Sequence, residues 1–212
     1  MPDFARQREQ MVAAQLKARG IRDPAVLDAF RRVPRETFVE SALARAAYAD
    51  RPLPIGAGQT ISQPYIVALM IEAAGIGPDD RVLEVGAGSG YAAAVLGLVA
   101  GEVIAIERHG ALVVQAADRM AQLGYANVRI VQGDGIHGWH ERAPYDAILA
   151  AASGGHVPPA LIEQLKPGGR LVMPLGGPWT AQTLVKLTKR GDGSVARVPL
   201  CAVRFVPFVG AE

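Results

Sequence analysis

The chain has 212 residues, 50% of them hydrophobic and 20% charged, and its formal net charge is +2 at pH 7. This length and composition predict one folded domain with a sizeable core and exclude a wholly disordered protein. The near-neutral charge and an aromatic content of 6% argue against a nucleic-acid partner, because they indicate neither a basic surface nor stacking platforms. The single cysteine, Cys201, excludes an internal disulfide and suits a reducing compartment. With no signal-peptide core or membrane-length apolar run, we expect a cytoplasmic protein.

Residues 1–50 carry helix signals only and predict a helical N-terminal extension. Aspartate favours the N-cap position, and glycine and proline favour helix ends. On these signals three helices are expected, delimited by Asp3 and Gly20, by Asp23 and Pro34, and by residues 41 and 48. Arg31, Arg32 and Arg35 are interpreted as solvated residues at the end of the second helix.

A long connection over residues 51–63 reads RPLPIGAGQTISQ and has no predicted secondary structure. Connections of this length without structure of their own are uncommon in compact domains and are frequently functional. Ser62 is a suitable N-cap for the following helix, which continues to Gly75. The segment is therefore a candidate functional loop as well as the entry to a helix.

Short apolar strands alternate with helices from residue 78 to residue 176. Strands are expected over residues 81–85, 103–107, 128–131, 145–151 and 169–174, and helices over residues 89–99, 111–123 and 159–165. Buried strands that alternate with helices indicate a parallel sheet covered on both faces. Residues 177–212 change pattern, because strands over 183–187 and 196–206 flank a turn at 190–193. We expect these last strands to pair antiparallel.

A glycine motif follows the first of these strands at Gly86, Gly88 and Gly90. Glycines let the backbone turn sharply and approach a ligand closely, and the helix that starts there presents free N–H groups. Glu107 ends the next strand about twenty residues later, where a carboxylate accepts the ribose hydroxyls of a nucleotide. The combination predicts a nucleoside-containing cofactor at this edge of the sheet.

The spacing of the motif separates the candidate cofactors. GxGxG differs from the GxGxxG of dinucleotide enzymes, and Glu84, in the strand before the loop, is unfavourable beside a pyrophosphate. S-adenosylmethionine carries no phosphate, and Glu84 could orient the loop or the ammonium group of that cofactor. Asp134, after the third strand, could accept the adenine amino group at the same edge as Gly86 and Glu107. We therefore predict S-adenosylmethionine as the cofactor.

These motifs resemble those of class I S-adenosylmethionine-dependent methyltransferases and, more closely, the protein-L-isoaspartate O-methyltransferase family. The resemblance covers nearly the whole chain, and residues 59–64 are its most specific part, since the glycine motif is common to many methyltransferases. Ala92 departs from the pattern, because many members carry glutamine there. The similar segments are residues 20–22, 33–39, 52–65, 83–91, 133–135, 138–139, 143–148, 164–174 and 203–207.

The resemblance implies a Rossmann-like, doubly wound α/β fold in one domain, with a substrate loop at 51–65 and a cofactor-binding core at 78–176. It implies methyl transfer from S-adenosylmethionine, giving S-adenosylhomocysteine, to the free α-carboxylate of L-isoaspartyl residues in damaged peptides and proteins. Ser62 is assigned as the catalytic residue beside the substrate carboxylate. Substrate contacts are assigned to Thr60, Ile61, Gln63, Val206 and Pro207. Cofactor contacts are assigned to Glu84, Gly86, Ala87, Gly88, Ser89, Gly90, Glu107, Arg108, Asp134 and Gly135.

Two alternatives share the same cofactor motif. One is a non-catalytic S-adenosylmethionine-binding module that captures isoaspartyl chains, and the other is a methyltransferase for a small molecule. No metal site is expected, because His137 and His140 have no cysteine or close acid to complete a ligand set. We expect a monomer without a membrane partner, since an extended polypeptide substrate needs an open cleft.

Overall fold

The computed structural model describes residues 2–177 and 180–208, and most of its strands form one twisted sheet. Its strands are β1 Leu53–Gly56, β2 Gln59–Ile61, β3 Arg81–Val85, β4 Glu102–Glu107, β5 Val128–Gln132, β6 Tyr145–Ala150, β7 Leu165–Leu175, β8 Gln182–Lys189 and β9 Val195–Val203. The seven-stranded sheet has the order β5-β4-β3-β6-β7-β8-β9. Strands β3 to β7 pair in parallel, and β8 and β9 continue the sheet antiparallel. The predicted doubly wound, mostly parallel fold is confirmed.

The helices begin and end largely where the sequence signals them. They are α1 Phe4–Met11, α2 Pro24–Arg32, α3 Pro64–Ala74, α4 Tyr91–Leu96, α5 Gly110–Leu123 and α6 Pro159–Glu163. Asp23 caps α2 by accepting hydrogen bonds from two backbone N–H groups of the first turn, as its residue type predicts. Gly75 ends α3 in the left-handed conformation that glycine tolerates.

Each face of the sheet carries its own apolar cluster. One cluster joins inward-facing strand residues such as Val103 and Leu149 to the N-terminal extension and to α3, α4 and α5. The other joins strand residues such as Leu83 and Ile148 to Leu161 of α6 and to Phe208 near the end of the described chain. Successive strand residues point to opposite faces, so both faces are apolar and both must be covered.

The N-terminal extension departs from the prediction in two ways. The third expected helix is a 3₁₀ helix, Ser41–Ala46, and the first one continues beyond α1 as a π-helical turn and a 3₁₀ turn that end at Gly20. Arg35 is fully buried, so its interpretation as a solvated residue is wrong. Arg35 and Phe38 are both buried in the short 3₁₀ helix Arg35–Phe38, and the guanidinium is accommodated inside because it donates to two backbone carbonyls.

The connection over residues 51–63 has structure, contrary to expectation. Its strands β1 and β2 form an antiparallel hairpin in which Leu53 faces Ile61, and both of these side chains are buried in the core. The strands are only four and three residues long, and the pattern is interrupted by Pro54 and by the glycines of the turn. Such short strands carry too little periodicity to be read from sequence.

The C-terminal region holds one confirmed and one corrected feature. The turn at residues 190–193 joins β8 to β9 as predicted, with the Arg190 N–H donating to the Ser194 carbonyl at 2.7 Å. Strand β9 ends at Val203 rather than at residue 206, because the chain then leaves the sheet and turns toward Ser153. Among the residues described, none of the helices is both long enough and apolar enough for a membrane crossing.

Candidate active site

A cavity of about 760 Å³ lies at the carboxyl ends of the parallel strands. This is the edge where ligands bind in open α/β sheets, because the loops after the strands diverge there. Three segments enclose the cavity: the glycine loop after β3, the β1–β2 hairpin with the residues that lead into α3, and the tail after β9. The volume is in the range of small-molecule sites.

The glycine loop forms the first wall. Gly86 and Gly88 have φ values of +89° and +55°, a left-handed region that side chains disfavour, so glycine is required at both turns. A Cβ atom on Gly88 would lie 3.1 Å from the Ile55 side chain, which shows how closely the hairpin packs on this loop. Gly90 does not line the cavity. Its missing side chain instead leaves room for Ala116 and Met120 of α5.

Glu107 is held in place beside the glycine loop. One carboxylate oxygen accepts a hydrogen bond from the Gly88 N–H and the other from the His109 N–H, both at 2.8 Å. The side chain is buried and lines the cavity. Because each carboxylate oxygen has a second lone pair, the group remains able to accept hydrogen bonds from a ligand.

Asp134 and Arg108 continue this wall beyond β5. The Asp134 carboxylate accepts from the Ile136 N–H at 3.1 Å and from an Arg108 Nη at 3.3 Å. Both residues line the cavity. Gly135 follows, and a side chain there would collide with Val85. The strand ends therefore bring Glu107 and Asp134 to the edge where the sequence predicts them beside Gly86, and a further acid, Glu84 of β3, lies on the same lining.

Glu84 is the third of these acids and the most deeply buried. Its relative exposure is 3%, and within the described chain its Oε2 atom has no hydrogen-bond partner. Burial, with a further contribution from Glu107, raises the pKa of Glu84 well above its ordinary value. A buried carboxyl that lines a cavity without a cationic partner is suited to receive a cation from a ligand.

The second wall contains the predicted substrate residues. Thr60, Ile61, Ser62 and Gln63 line the cavity in succession. Ser62 does not cap α3: the N-cap is Gln63, and no side chain bonds to the helix start. Pro64 occupies the first helical position, which moves the helix start one residue beyond the predicted cap and leaves the Ser62 hydroxyl outside it.

Arg35 fixes the backbone of Ser62. Its guanidinium donates to the Ser62 carbonyl at 2.9 Å and to the Ala47 carbonyl at 2.7 Å. The same group lies 4.6 Å from the centre of the Tyr91 ring, in the first turn of α4. Burial lowers the pKa of Arg35. One buried cation thus ties the N-terminal extension to the substrate wall and to the helix after the glycine loop.

The tail forms the third wall. Ala202 to Phe208 line the cavity, and Val206 and Pro207 are among them. Apart from Gly90, each predicted site residue lies on the lining of this one cavity. The described residues hold no cluster of three or more His, Cys, Asp or Glu side chains arranged for a metal ion.

Comparison with known proteins gives the same family that the motifs resemble. The model of the family described as protein-L-isoaspartate(D-aspartate) O-methyltransferase matches residues 6–212. The chain belongs to this family. It is 58% identical over 209 residues to protein-L-isoaspartate O-methyltransferase 1 of Rhodopseudomonas palustris strain HaA2, covering 99% of this chain and 85% of that one. It is 59% identical to the enzyme of Methylorubrum extorquens strain PA1, covering 99% and 91%.

Solved structures of family members share the fold. One protein-L-isoaspartate O-methyltransferase superposes with a TM-score of 0.87 at 32% identity, over 96% of this chain and 66% of that longer chain. A second structure, from Plasmodium falciparum and in complex with S-adenosyl-L-homocysteine, superposes with a TM-score of 0.81 at 26% identity, over 95% of this chain and 98% of that one. The likeness extends over the N-terminal extension and the antiparallel strands as well as the sheet.

Sequence reasoning missed the side chains that hold the walls together. Arg35 is one, and Gln182 and Ser153, which bond to the tail, are others. Arg35 gave a faint signal, because it stands between apolar residues at 33 and 38–39. For Gln182 and Ser153 the sequence gives no local signal, since their partners lie more than twenty residues away.

Proposed function

We propose that this chain methylates the free α-carboxylate of L-isoaspartyl residues in damaged peptides and proteins, with Ser62 orienting that carboxylate. The chain is a methyltransferase of the family whose model it matches over residues 6–212, and its methyl donor is S-adenosylmethionine. One observation carries the assignment of residues: the glycine loop and the segment around Ser62 open into the same cavity. A donor and a carboxylate acceptor would meet there.

The cofactor wall fits S-adenosylmethionine on its chemistry. Glu107, fixed by two backbone N–H groups, would accept the ribose hydroxyls, and Asp134 would face the adenine amino group. Glu84, whose Oε2 is unpartnered within the described residues, would receive the ammonium of the methionine moiety. Gly86 and Gly88 would let the backbone approach. The bound cofactor supplies an electrophilic methyl group on a positively charged sulfur.

The acceptor needs orientation rather than deprotonation. An α-carboxyl group titrates near pH 3 to 4 and is already ionised at neutral pH, so the site requires no general base. The Ser62 hydroxyl would donate a hydrogen bond to one carboxylate oxygen and leave the other free to attack. Holding two reacting groups in line is worth several kcal/mol in model reactions. Arg35, bonded to the Ser62 carbonyl at 2.9 Å, keeps the backbone at that position.

The remaining residues shape the pocket. Thr60, Ile61 and Gln63 would contact the isoaspartyl residue, and Val206 and Pro207 would contact the peptide on either side of it. Ile61 and Phe208 are buried apolar side chains on the lining, and they exclude water that would compete for the methyl group. Methoxide leaves a carbonyl far more readily than oxide leaves a carboxylate, so the adjacent backbone nitrogen attacks the ester carbonyl, loses its proton and expels methanol to close a succinimide. Hydrolysis of that ring by water restores some normal aspartyl linkage.

Methyl transfer to a matched pair of peptides tests this function. Radiolabelled S-adenosylmethionine is incubated with the protein and an isoaspartyl peptide, and the aspartyl isomer of the same sequence serves as control. We expect label in the isoaspartyl peptide only. Label in neither, with S-adenosylhomocysteine still bound in calorimetry, would indicate a non-catalytic module. Equal label in both would indicate a methyltransferase of broad specificity, such as one for small carboxylic acids.

The working state of the protein is part of the proposal. We propose that the chain acts as a monomer in the cytoplasm, without nucleic-acid or membrane partners. The monomer is argued from the substrate, because an extended polypeptide must be able to reach the cavity. Light scattering after size-exclusion chromatography tests the monomer, and a dimer mass would contradict it.

A further inference from the structure

The tail after β9 lines the cavity although it has left the sheet. Val203 is the last residue paired with β8, opposite Gln182. Residues 204–208 then run along the cavity, with one isolated bridge between Pro207 and Ser153. Without ladder partners, the segment depends for its position on hydrogen bonds of its backbone groups to other parts of the chain and on the packing of Phe208 in the apolar cluster.

Two buried residues supply those bonds, Gln182 through its side chain and Ser153 through its backbone and hydroxyl. The Gln182 amide holds both polar groups of Phe205: its oxygen accepts from the Phe205 N–H at 2.6 Å and its nitrogen donates to the Phe205 carbonyl at 3.2 Å. The same nitrogen donates to the Ser153 hydroxyl at 3.0 Å. Ser153 in turn bonds the tail through its N–H to the Val206 carbonyl at 2.8 Å and through its carbonyl to the Phe208 N–H at 2.9 Å.

The two residues that hold the tail are buried. Gln182 and Ser153 have relative exposures of 5% and 1%, and neither lines the cavity. Buried hydrogen bonds are costly to leave unmade, so the tail has one favoured position. Within the described residues, the backbone hydrogen bonds that hold 205–208 all run to these two side chains and the Ser153 backbone.

The tail lies on the substrate side of the cavity. The sheet order places β4 and β5, which carry Glu107 and lead to Asp134, on one side of β3. Ser153 follows β6 on the other side, and α3, which begins just after Ser62, packs on β6 and β7. The tail and Ser62 therefore share one half of the cavity, and the cofactor carboxylates occupy the other.

We propose that Gln182 and Ser153 are positioning residues that set affinity for the isoaspartyl peptide by holding the tail at residues 204–208 as the wall of its pocket. The proposal rests on the proposed function. Neither side chain touches the substrate, and each acts through the backbone of the tail. Loosening the tail weakens substrate binding and leaves the cofactor half intact.

A second buried glutamine provides a matched control. Gln164 has a relative exposure of 2% and clamps backbone in the same way, accepting from the Trp139 N–H at 2.7 Å and donating to the His137 carbonyl at 2.8 Å. The residues it holds do not line the cavity. Gln182→Met and Gln164→Met each remove one bond to a backbone N–H and one to a backbone carbonyl, and Gln182→Met also removes the bond to Ser153. Only Gln182→Met should loosen the pocket.

The experiment compares these two variants with the wild type. For Gln182→Met we expect the KM for an isoaspartyl peptide to rise about tenfold, with kcat and the Kd for S-adenosylhomocysteine within about twofold. Gln164→Met should lose similar thermal stability while its KM is unchanged. Gln182→Glu keeps the acceptor for the Phe205 N–H but loses the donors, so its KM should lie between the values of the wild type and Gln182→Met. Ser153→Ala should raise KM about threefold, because one hydroxyl is removed.

The outcomes separate this proposal from the proposed function. If the wild type does not methylate the isoaspartyl peptide, the proposed function fails. If the wild type is active and Gln182→Met has the KM of Gln164→Met, the positioning role fails. Should Gln182→Met not fold, Gln182→Glu and Ser153→Ala decide, since wild-type KM values in both contradict the proposal. A matching rise in the Kd for S-adenosylhomocysteine would also contradict it.

Discussion

The two halves of the cavity are built in different ways. The cofactor half consists of the ends of β3, β4 and β5, and its acids stand where the parallel ladder places them. The substrate half consists of a short hairpin and a tail that has left the sheet, and it is held by side-chain bonds from Arg35, Gln182 and Ser153. The first half is fixed by regular backbone pairing, and the second by a few buried polar contacts between distant segments.

This difference has a consequence for function. A cofactor of constant shape suits a wall set by the rigid sheet, whereas peptides of many sequences need a wall assembled from loops. Loops tolerate sequence change better than strands because their backbone bonds do not form a ladder. A substitution in one half should therefore leave the function of the other half intact.

Glu107→Ala should have the largest effect and should act on the cofactor half. The carboxylate that we propose accepts hydrogen bonds from the two ribose hydroxyls is removed, and the Gly88 and His109 N–H groups lose their acceptor. We expect the Kd for S-adenosylhomocysteine to rise about 100-fold, measured by calorimetry. Glu102→Ala is the control, because Glu102 starts the same strand but pairs with Arg81 and Arg142 at the surface. Unchanged affinity in Glu107→Ala would refute the ribose assignment.

Ser62→Ala should act on the substrate half alone. A hydrogen bond to a charged group is removed, so kcat/KM for the isoaspartyl peptide should fall about 30-fold. Affinity for S-adenosylhomocysteine should stay the same. The matched control is Ser194→Ala in the β8–β9 turn, where the hydroxyl bonds only to Asp192 and Arg190 among the residues described. Wild-type turnover in Ser62→Ala would leave the hydroxyl without a catalytic role.

Glu84→Gln should show that the buried Glu84 carboxyl lowers the free energy of unfolding as the pH rises. The folded carboxyl has a pKa well above its ordinary value of 4.5, so the folded state holds a proton that the unfolded state releases as the pH rises. The free energy of unfolding of the wild type should therefore fall by about 1 kcal/mol per pH unit above that value, until the folded pKa is reached. Glutamine does not ionise, so the variant loses this slope.

Urea unfolding between about pH 5 and 7 measures the difference. The two proteins should converge at low pH, where the glutamate is protonated in both states, and the variant should be the more stable at neutral pH. The variant should also bind S-adenosylhomocysteine more weakly, because glutamine cannot ionise to pair with the ammonium of the ligand. Parallel pH profiles would show that Glu84 ionises freely in the folded protein.

Ala57 in the hairpin turn should give the smallest effect. It has a φ of +50° between Gly56 and Gly58, a region that costs a side chain about 1 kcal/mol. Ala57→Gly should raise the free energy of unfolding by less than about 1 kcal/mol, because the glycine also gains freedom in the unfolded chain. Ala57→Val should lower it by about 1 kcal/mol, since branched side chains tolerate this region poorly. Equal stability of all three proteins would show that the turn relaxes and does not fix the substrate wall.

The two halves were also unequally predictable. The glycine motif, Glu107 and Asp134 could be placed together from sequence because the carboxyl ends of parallel strands share one edge. The hairpin is not predictable from the sequence, because its strands are too short for periodicity. For Ser62 the capping role is wrong and the catalytic role stays a prediction, since Pro64 moves the helix start one residue beyond Ser62. The burial of Arg35 is unexpected, because a single charged residue after a helix is exposed in most proteins.

The α/β class, the order of strands and helices in the core, the family and, apart from Gly90, a set of residues on the cavity lining could be predicted from the sequence. These follow from local periodicity and from motifs whose residues are close in the chain. How the substrate wall is held depends on the folded structure: the burial of Arg35, the departure of the tail after Val203, and the Gln182–Ser153 contacts. Those depend on which distant segments meet in the folded core, and hydrogen bonds between segments more than twenty residues apart leave no pattern in the sequence.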